Sequence, residues 1–98
     1  MRLRNKEVIE EYIKKHADSK TAFNKWIASV EDANWTQHND IKAEFPTADY
    51  VGKGRYVFNI KGNKYRTVTV VAFISNLVSI QFVGTHAEYD KIKDCSTI

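Results

Sequence analysis

Apolar residues in the first half of the chain recur every three to four positions. Val8, Ile9, Tyr12 and Ile13 form one stripe, the spacing of an amphipathic helix that starts near Asn5. Glu7, Glu10 and Glu11 crowd its first turns, and Lys14, Lys15 and His16 its last. That is the charge order a helix dipole favours. The Asp18-Ser19 pair then offers an N-cap, and Ala22, Phe23, Trp26, Ile27 and Val30 mark a second stripe. So short a link predicts an antiparallel helical hairpin, with both stripes turned to the core. Thr36 is placed to cap a third, short helix that reaches about Glu44 and is stopped by Pro46.

After Val51 the period changes from helix to strand. Arg55–Ile60 and a longer run from Tyr65 to about Ile74 flank Gly62-Asn63, a dipeptide suited to a tight hairpin turn. Ser75-Asn76 makes a second turn, and the run from Leu77 to Val83 alternates Val78, Ile80 and Phe82 with Ser79 and Gln81. Thr85 with Glu88 three residues on is a capping box, and it opens a last short helix that holds Tyr89, Lys91 and Ile92. Helices followed by an antiparallel meander give an α+β layer fold. A chain of 98 residues supports one core, so a single domain over residues 1–98 is expected.

The hairpin has a register that can be argued. With Gly62-Asn63 as the loop, or with Lys61 to Lys64, Ile60 faces Tyr65, Asn59 faces Arg66 and Phe58 faces Thr67. Tyr56, Phe58, Ile60, Tyr65 and Thr67 then share an apolar face that packs on the helices. Arg55, Val57, Asn59, Lys61, Lys64 and Arg66 share the other. A slip of one residue would exchange the two faces.

Charge gives that second face a meaning. The formal net charge is only +3. Residues 1–50 carry eight cations and nine acids, residues 51–98 seven cations and three acids. The stretch Val51–Arg66 holds five cations and no acid. Lys61 opposite Lys64 is an unfavourable cross-strand pair. Nothing in the local sequence compensates it, and a polyanionic ligand would. Asn59 and Arg66 sit in mid-strand, where a guanidinium fork suits phosphate oxygens.

His86 falls at the first position of the last helix. Free backbone N–H groups there favour an anion, and the same positive end favours a neutral imidazole able to exchange a proton near neutral pH. It reads equally as a surface histidine at a helix start. Tyr89 shares its face, either as part of a site or as a ring packed on the sheet. His16 and His38 read as structural. Three scattered histidines and the lone Cys95 make no metal-ligand spacing, and no phosphate-binding glycine loop or Ser or Cys nucleophile motif is present. No apolar run approaches the roughly 20 residues of a membrane helix. The start lacks the apolar stretch of a secretion signal, and a single cysteine fits a reducing, cytoplasmic setting.

Arg55-Tyr56-Val57-Phe58-Asn59-Ile60-Lys61-Gly62-Asn63-Lys64-Tyr65-Arg66, followed by Phe82-Val83-Gly84-Thr85-His86-Ala87-Glu88-Tyr89-Asp90, closely resembles the HigB-type toxins of bacterial toxin–antitoxin systems, within the RelE-like superfamily. Ala33-Asn34-Trp35, Lys42-Ala43-Glu44-Phe45-Pro46 and Asp49 resemble the middle segment of that family, so the likeness covers essentially the whole chain. It implies a two-layer fold, with a helical hairpin and a short helix packed on a curved antiparallel sheet. It also implies an mRNA endoribonuclease that works on the translating ribosome without a metal or other cofactor. In that mechanism the ribose 2′-OH attacks its own 3′-phosphate, leaving a cyclic phosphate and a 5′-OH. A HigA-type helix-turn-helix antitoxin is the implied partner, and operator DNA is met only through it.

By the same resemblance, Arg66 matches a phosphate-binding position, with Asn59 and Lys61 on the preceding strand; Asn59 stands where RelE carries a lysine. Lys61 and Arg66 would stabilise the pentavalent phosphorane. His86 would transfer the proton, and Tyr89 would stack on a base or position the phosphate. Lys53, Arg55, Asn63 and Lys64 would follow the RNA backbone. Two rival readings stand beside this one: a ribonuclease that needs no ribosome, and a non-catalytic module that binds RNA or a partner by charge.

Overall fold

The computed structural model describes residues 1–98. The chain opens with a three-residue strand, β1 (Arg2–Arg4), which turns at Asn5 into α1 (Lys6–Lys15). Asn5 takes the left-handed conformation, φ 65°, which Asn tolerates better than most residues. Its side-chain amide donates to Ser79 Oγ and the Ile80 carbonyl, at 3.3 and 3.2 Å, and so fixes the corner to the sheet. A 3₁₀ turn (Ala17–Ser19) leads into α2 (Lys20–Asp32), and α3 (His38–Glu44) follows. The strands are β2 (Asp49–Gly52), β3 (Arg55–Ile60), β4 (Tyr65–Ala72) and β5 (Leu77–Thr85). A short helix, α4 (His86–Asp90), and a second 3₁₀ turn (Cys95–Thr97) complete the chain.

The sheet order is β1-β5-β4-β3-β2. β3, β4 and β5 form the expected antiparallel meander and β2, which the sequence reading does not predict, pairs antiparallel to β3, but β1 pairs parallel to β5, so the sheet is mixed. β1 and β2 add an edge on each side of the meander. Two caps also differ from the sequence reading. Ser19 makes no cap bond to α2; its hydroxyl donates to the His16 carbonyl at 2.6 Å. Thr36 does not accept from α3. Its N–H and hydroxyl both donate to Asp40 Oδ2, at 2.9 and 3.1 Å.

The hairpin register is the expected one: Ile60 opposite Tyr65, Asn59 opposite Arg66, Phe58 opposite Thr67. The apolar face therefore meets the helices. Ile9 of α1 and Phe23, Trp26, Ile27 and Val30 of α2 are buried against Tyr56, Phe58, Ile60, Tyr65, Val71, Val78 and Ile80. Phe58 is the hub. Its ring centroid lies 5.4 Å from Trp26, 5.3 Å from Phe45 and 6.2 Å from Trp35. Each aromatic buried in this way stabilises by about 1.5–3 kcal/mol through area alone.

The opposite face is less open than a solvated sheet. Val57 and Val68 are buried there. The C-terminal segment packs against this end of β2 and β3: a Cβ added at Gly52 would lie 3.4 Å from Ser96 Cβ, and Arg55 donates through Nε and Nη2 to the Ile98 main-chain oxygen at 3.2 and 2.9 Å. What stays accessible on this face is the end that carries Asn59, Arg66 and the start of α4. No helix is long and apolar enough to cross a membrane.

Candidate functional site

The hairpin loop spans Lys61 to Lys64. Lys61 and Gly62 both have positive φ, 55° and 65°, and Lys64 N–H donates to the Lys61 carbonyl at 3.3 Å. This turn breaks the strand alternation before Lys61, so its side chain does not continue on the face of Asn59. Lys61 and Lys64 instead reach Asp18 in the 3₁₀ turn before α2, with Nζ–Oδ2 distances of 3.1 and 2.7 Å. The Tyr65 hydroxyl donates to the same carboxylate at 2.8 Å. The lysine pair is therefore compensated from within the protein, by a residue more than forty positions away in sequence. The expected cluster of Lys61, Lys64 and Arg66 around Asn59 splits in two.

Electrostatics agree with that split. Hydrogen bonds from Lys64, then Tyr65 and Lys61, hold the Asp18 carboxyl well below the ordinary carboxylate range. Asp18 in turn raises Lys64. Burial, and then Asp18, raise the Tyr65 phenol.

Arg66 is the cation at the accessible end of the far face; Arg55, on the same face, is covered by the C-terminal segment. Its guanidinium lies over the Tyr89 ring, 4.6 Å from the centroid. Nη2 donates to Asn63 Oδ1 at 3.3 Å, while Nε is buried without a protein partner. Across the sheet from Arg66 stand Asn59 on one side and Gly84 on the other. Asn59 donates its amide to the Thr47 carbonyl at 3.3 Å. A side chain at position 84 would meet Phe82 Cζ at 2.6 Å and Glu88 Cβ at 3.2 Å. Glycine there lets the Phe82 ring lie along the strand and brings α4 close to Arg66.

α4 is positioned by its cap. Glu88 N–H donates to Thr85 Oγ1 at 3.1 Å, and Thr85 N–H donates to Glu88 Oε1 at 2.8 Å, completing the box. The Tyr12 hydroxyl also donates to Glu88 Oε1, at 3.1 Å, tying α4 to α1. The Thr85 N–H is the chief cause that holds Glu88 below its usual range.

The N-terminal anion site expected at His86 is not formed. α4 has five residues, and the His86 N–H is already spent on the Lys64 carbonyl at 3.0 Å. The imidazole does have an orienting partner. Nδ1 lies 2.9 Å from Asp90 Oδ2, one turn on. An Nδ1–H donated to that carboxylate leaves Nε2 as the free acceptor, the arrangement of an oriented base. Tyr89 is half-buried, and burial pushes its hydroxyl up to about 12, with Cys95 adding to the rise and Arg66 opposing it. The phenol is protonated at neutral pH.

Lys53 and Arg55 lie elsewhere. Lys53 sits at φ 51° in a turn between Gly52 and Gly54, and Arg55 is committed to the Ile98 oxygen and, through Nη1 at 2.9 Å, to the Lys53 carbonyl. His38 is the first residue of α3, with Nδ1 2.6 Å from the Tyr56 hydroxyl, and His16 packs its ring 4.1 Å from Tyr12. Two residues of the site went unread in the sequence. Asp90 could have been found, because it stands four residues after His86 on a helix. Asp18 could not, because its partners are distant. Together the geometry offers a planar cation stacked on an aromatic ring, beside a histidine oriented by a carboxylate. Such a set can grip a phosphate and move a proton.

Comparison with known proteins identifies the family. Residues 19–92 match the family described as HigB_toxin, RelE-like toxic component of a toxin–antitoxin system. The chain is 32% identical over 93 residues to the mRNA interferase toxin HigB of Escherichia coli strain K12, covering 92% of this chain and 88% of that protein. The mRNA interferase HigB of Shigella flexneri is similar to the same degree. That of E. coli O6:H1 strain CFT073 is 24% identical over 95 residues, 94% of this chain and 91% of that one. The match takes in the hairpin, β5 and α4, and the chain belongs to the HigB family of RelE-like toxic components of toxin–antitoxin systems.

Proposed function

We propose that this protein is the toxin of a toxin–antitoxin pair and an mRNA endoribonuclease that cuts on the translating ribosome. The observation that carries this reading is the Arg66–Tyr89 stack beside the His86–Asp90 pair, at the accessible end of the sheet in a member of this family. His86 Nε2 takes the proton of a ribose 2′-OH. The freed oxygen attacks the adjacent phosphorus, the bond to the 5′-oxygen breaks, that oxygen takes up a proton from water, and a 2′,3′-cyclic phosphate and a 5′-OH result. Arg66 meets the charge that develops on the phosphorane, the largest electrostatic task in the reaction. Tyr89, protonated, holds the guanidinium plane and offers a ring for a base. Lys61 and Lys64 contact RNA phosphates from the rim alongside, or in exchange for, their ion pairs with Asp18. No residue in this sequence of steps requires a metal ion. A helix-turn-helix antitoxin neutralises the toxin in the cytoplasm.

Induction of the chain without its antitoxin tests this. Growth arrests with the wild-type protein, and Arg66→Ala and His86→Ala each relieve the arrest while circular dichroism shows both variants folded. Full toxicity in both variants would sink the assignment. An inert wild-type protein would favour a module that binds without cutting.

A further inference from the structure

The two groups assigned to the reaction hang from neighbouring residues of one exposed loop. Arg66 Nη2 donates to Asn63 Oδ1 at 3.3 Å, and the His86 N–H donates to the Lys64 carbonyl at 3.0 Å. Residues 61–64 are all exposed. The bond that closes their turn is long, 3.3 Å from the Lys64 N–H to the Lys61 carbonyl, and Lys61 and Gly62 both stand at positive φ. Such a loop is free to shift unless something outside it holds it. Asp18 holds it. Its carboxylate takes Lys61 and Lys64 at 3.1 and 2.7 Å and the Tyr65 hydroxyl at 2.8 Å. Its main-chain carbonyl accepts from Lys61 Nζ as well, at 3.0 Å. The anchor is itself fixed. Ser19, next in the chain, is fully buried, with its N–H and hydroxyl both on the His16 carbonyl, at 2.9 and 2.6 Å. Tyr65 is buried too and carries the tie into the core.

For RNA binding alone, an acid on this rim is unfavourable. It repels phosphates and competes with them for both lysines. Asp18 bonds Lys61, Lys64 and Tyr65 but neither Arg66 nor His86, so its influence on the cut passes through the loop. We propose that Asp18 is a positioning residue for the cleavage reaction. By clamping the hairpin loop it fixes Arg66, which meets the phosphate, relative to His86, which takes the 2′-OH proton, and it does so while weakening the grip on RNA. The proposal rests on Arg66 and His86 being the site of RNA cleavage.

The signature of this role is a split between binding and chemistry. Asp18→Asn keeps the shape of the side chain and an acceptor for Tyr65, and deletes the charge. Lys64→Met keeps an unbranched chain and deletes the other end of the shortest tie. The two variants act oppositely on a polyanion and alike on the loop. The test is single-turnover cleavage of ribosome-bound mRNA over a range of protein concentrations, at a temperature where circular dichroism shows every variant folded. The maximal rate reports chemistry, and the half-saturating concentration reports binding. Asp18→Asn lowers the half-saturating concentration about two- to fivefold, the scale of an exposed ion pair, and Lys64→Met raises it by a similar factor. Both variants lower the maximal rate, by about ten- to hundredfold, on the scale of a misplacement of up to about 1 Å between reacting groups. The double variant is no slower than Asp18→Asn alone, because Lys64 then has no tie left to lose.

If the wild type cuts and Asp18→Asn keeps its maximal rate, the positioning role is overturned while the nuclease reading stands. A higher maximal rate in Asp18→Asn overturns it too, because the carboxylate then only competes with RNA for the lysines. If Asp18→Asn loses binding and rate together, Asp18 serves the fold alone and the proposal fails. If the wild type does not cut, both readings fall.

Discussion

The Arg66–Tyr89 stack makes a quantitative claim. Arg66→Ala, Tyr89→Ala and the double variant form a cycle. Removing one preorganised donor from a developing oxyanion slows the chemical step by about 10²–10³, and that is the expected loss for Arg66→Ala. A cation over a ring in a partly exposed site contributes about 0.5–1 kcal/mol. Tyr89→Ala should therefore slow cleavage about two- to fivefold through Arg66 alone, since about 1.4 kcal/mol is tenfold. In the Arg66→Ala background that part of the loss vanishes, because the cation is gone, and the coupling energy should be about 0.5–1 kcal/mol. Arg66→Lys keeps the charge but loses the planar fork and the stack, and it should fall between wild type and Arg66→Ala. The assay is single-turnover cleavage of mRNA on purified translating ribosomes, read as a rate constant. None of these variants should unfold the protein, because Arg66 makes a single side-chain hydrogen bond, to Asn63. Arg66→Ala within about threefold of wild type would refute the assignment of the phosphorane contact. Strict additivity of the two single variants would refute the stack.

Asp18 has a depressed pKa in the folded state, so its stabilising contribution is present above the unfolded value of about 3.9 and is lost as pH falls through the folded one. Asp18→Asn should lower the melting temperature at neutral pH and should remove part of the wild-type decline in acid below about pH 4; equal melting curves at neutral pH would show that the lysine pair needs no compensation. Phe58→Ala opens the centre of the aromatic cluster and should cost about 3–5 kcal/mol in urea unfolding, whereas a loss below about 1.5 kcal/mol would mean the core does not pivot on it. Tyr89→Phe keeps the ring and removes a hydroxyl that stays protonated up to about 12, so the pH–rate profile should be unchanged across the neutral range. A loss of about 100-fold or more would mark that hydroxyl as a proton carrier.

What was legible in the sequence shares one property: the signal was local. The alternation of Tyr56, Phe58 and Ile60 set the buried face of β3. Because two- and four-residue loops have the same parity, the register held even though the turn used Lys61 as well as Gly62. Thr85 and Glu88, three residues apart, announced the cap of α4. The features that escaped depend on distance along the chain. β1 is three residues long with an arginine at each end, and only its parallel partner β5 makes it a strand. Asp18 looked like a helix cap because its partners Lys61 and Lys64 are folded onto it from the hairpin. The left-handed φ of Lys61 is a property of the turn as closed. It moved one predicted phosphate ligand off the face of Arg66.

The reaction chemistry itself is the most direct measurement. Purified protein is given ribosome-bound mRNA that carries a single cleavage site, in two versions: one all-ribose, one with a 2′-deoxynucleotide 5′ to the scissile phosphate. Attack by the 2′-OH predicts a 2′,3′-cyclic phosphate and a 5′-OH from the first. It predicts no product from the second, and a loss of about 10²–10⁴ in rate with His86→Ala on the first. Cleavage of the deoxy-substituted message at an undiminished rate, or an unaltered rate with His86→Ala, would contradict the account.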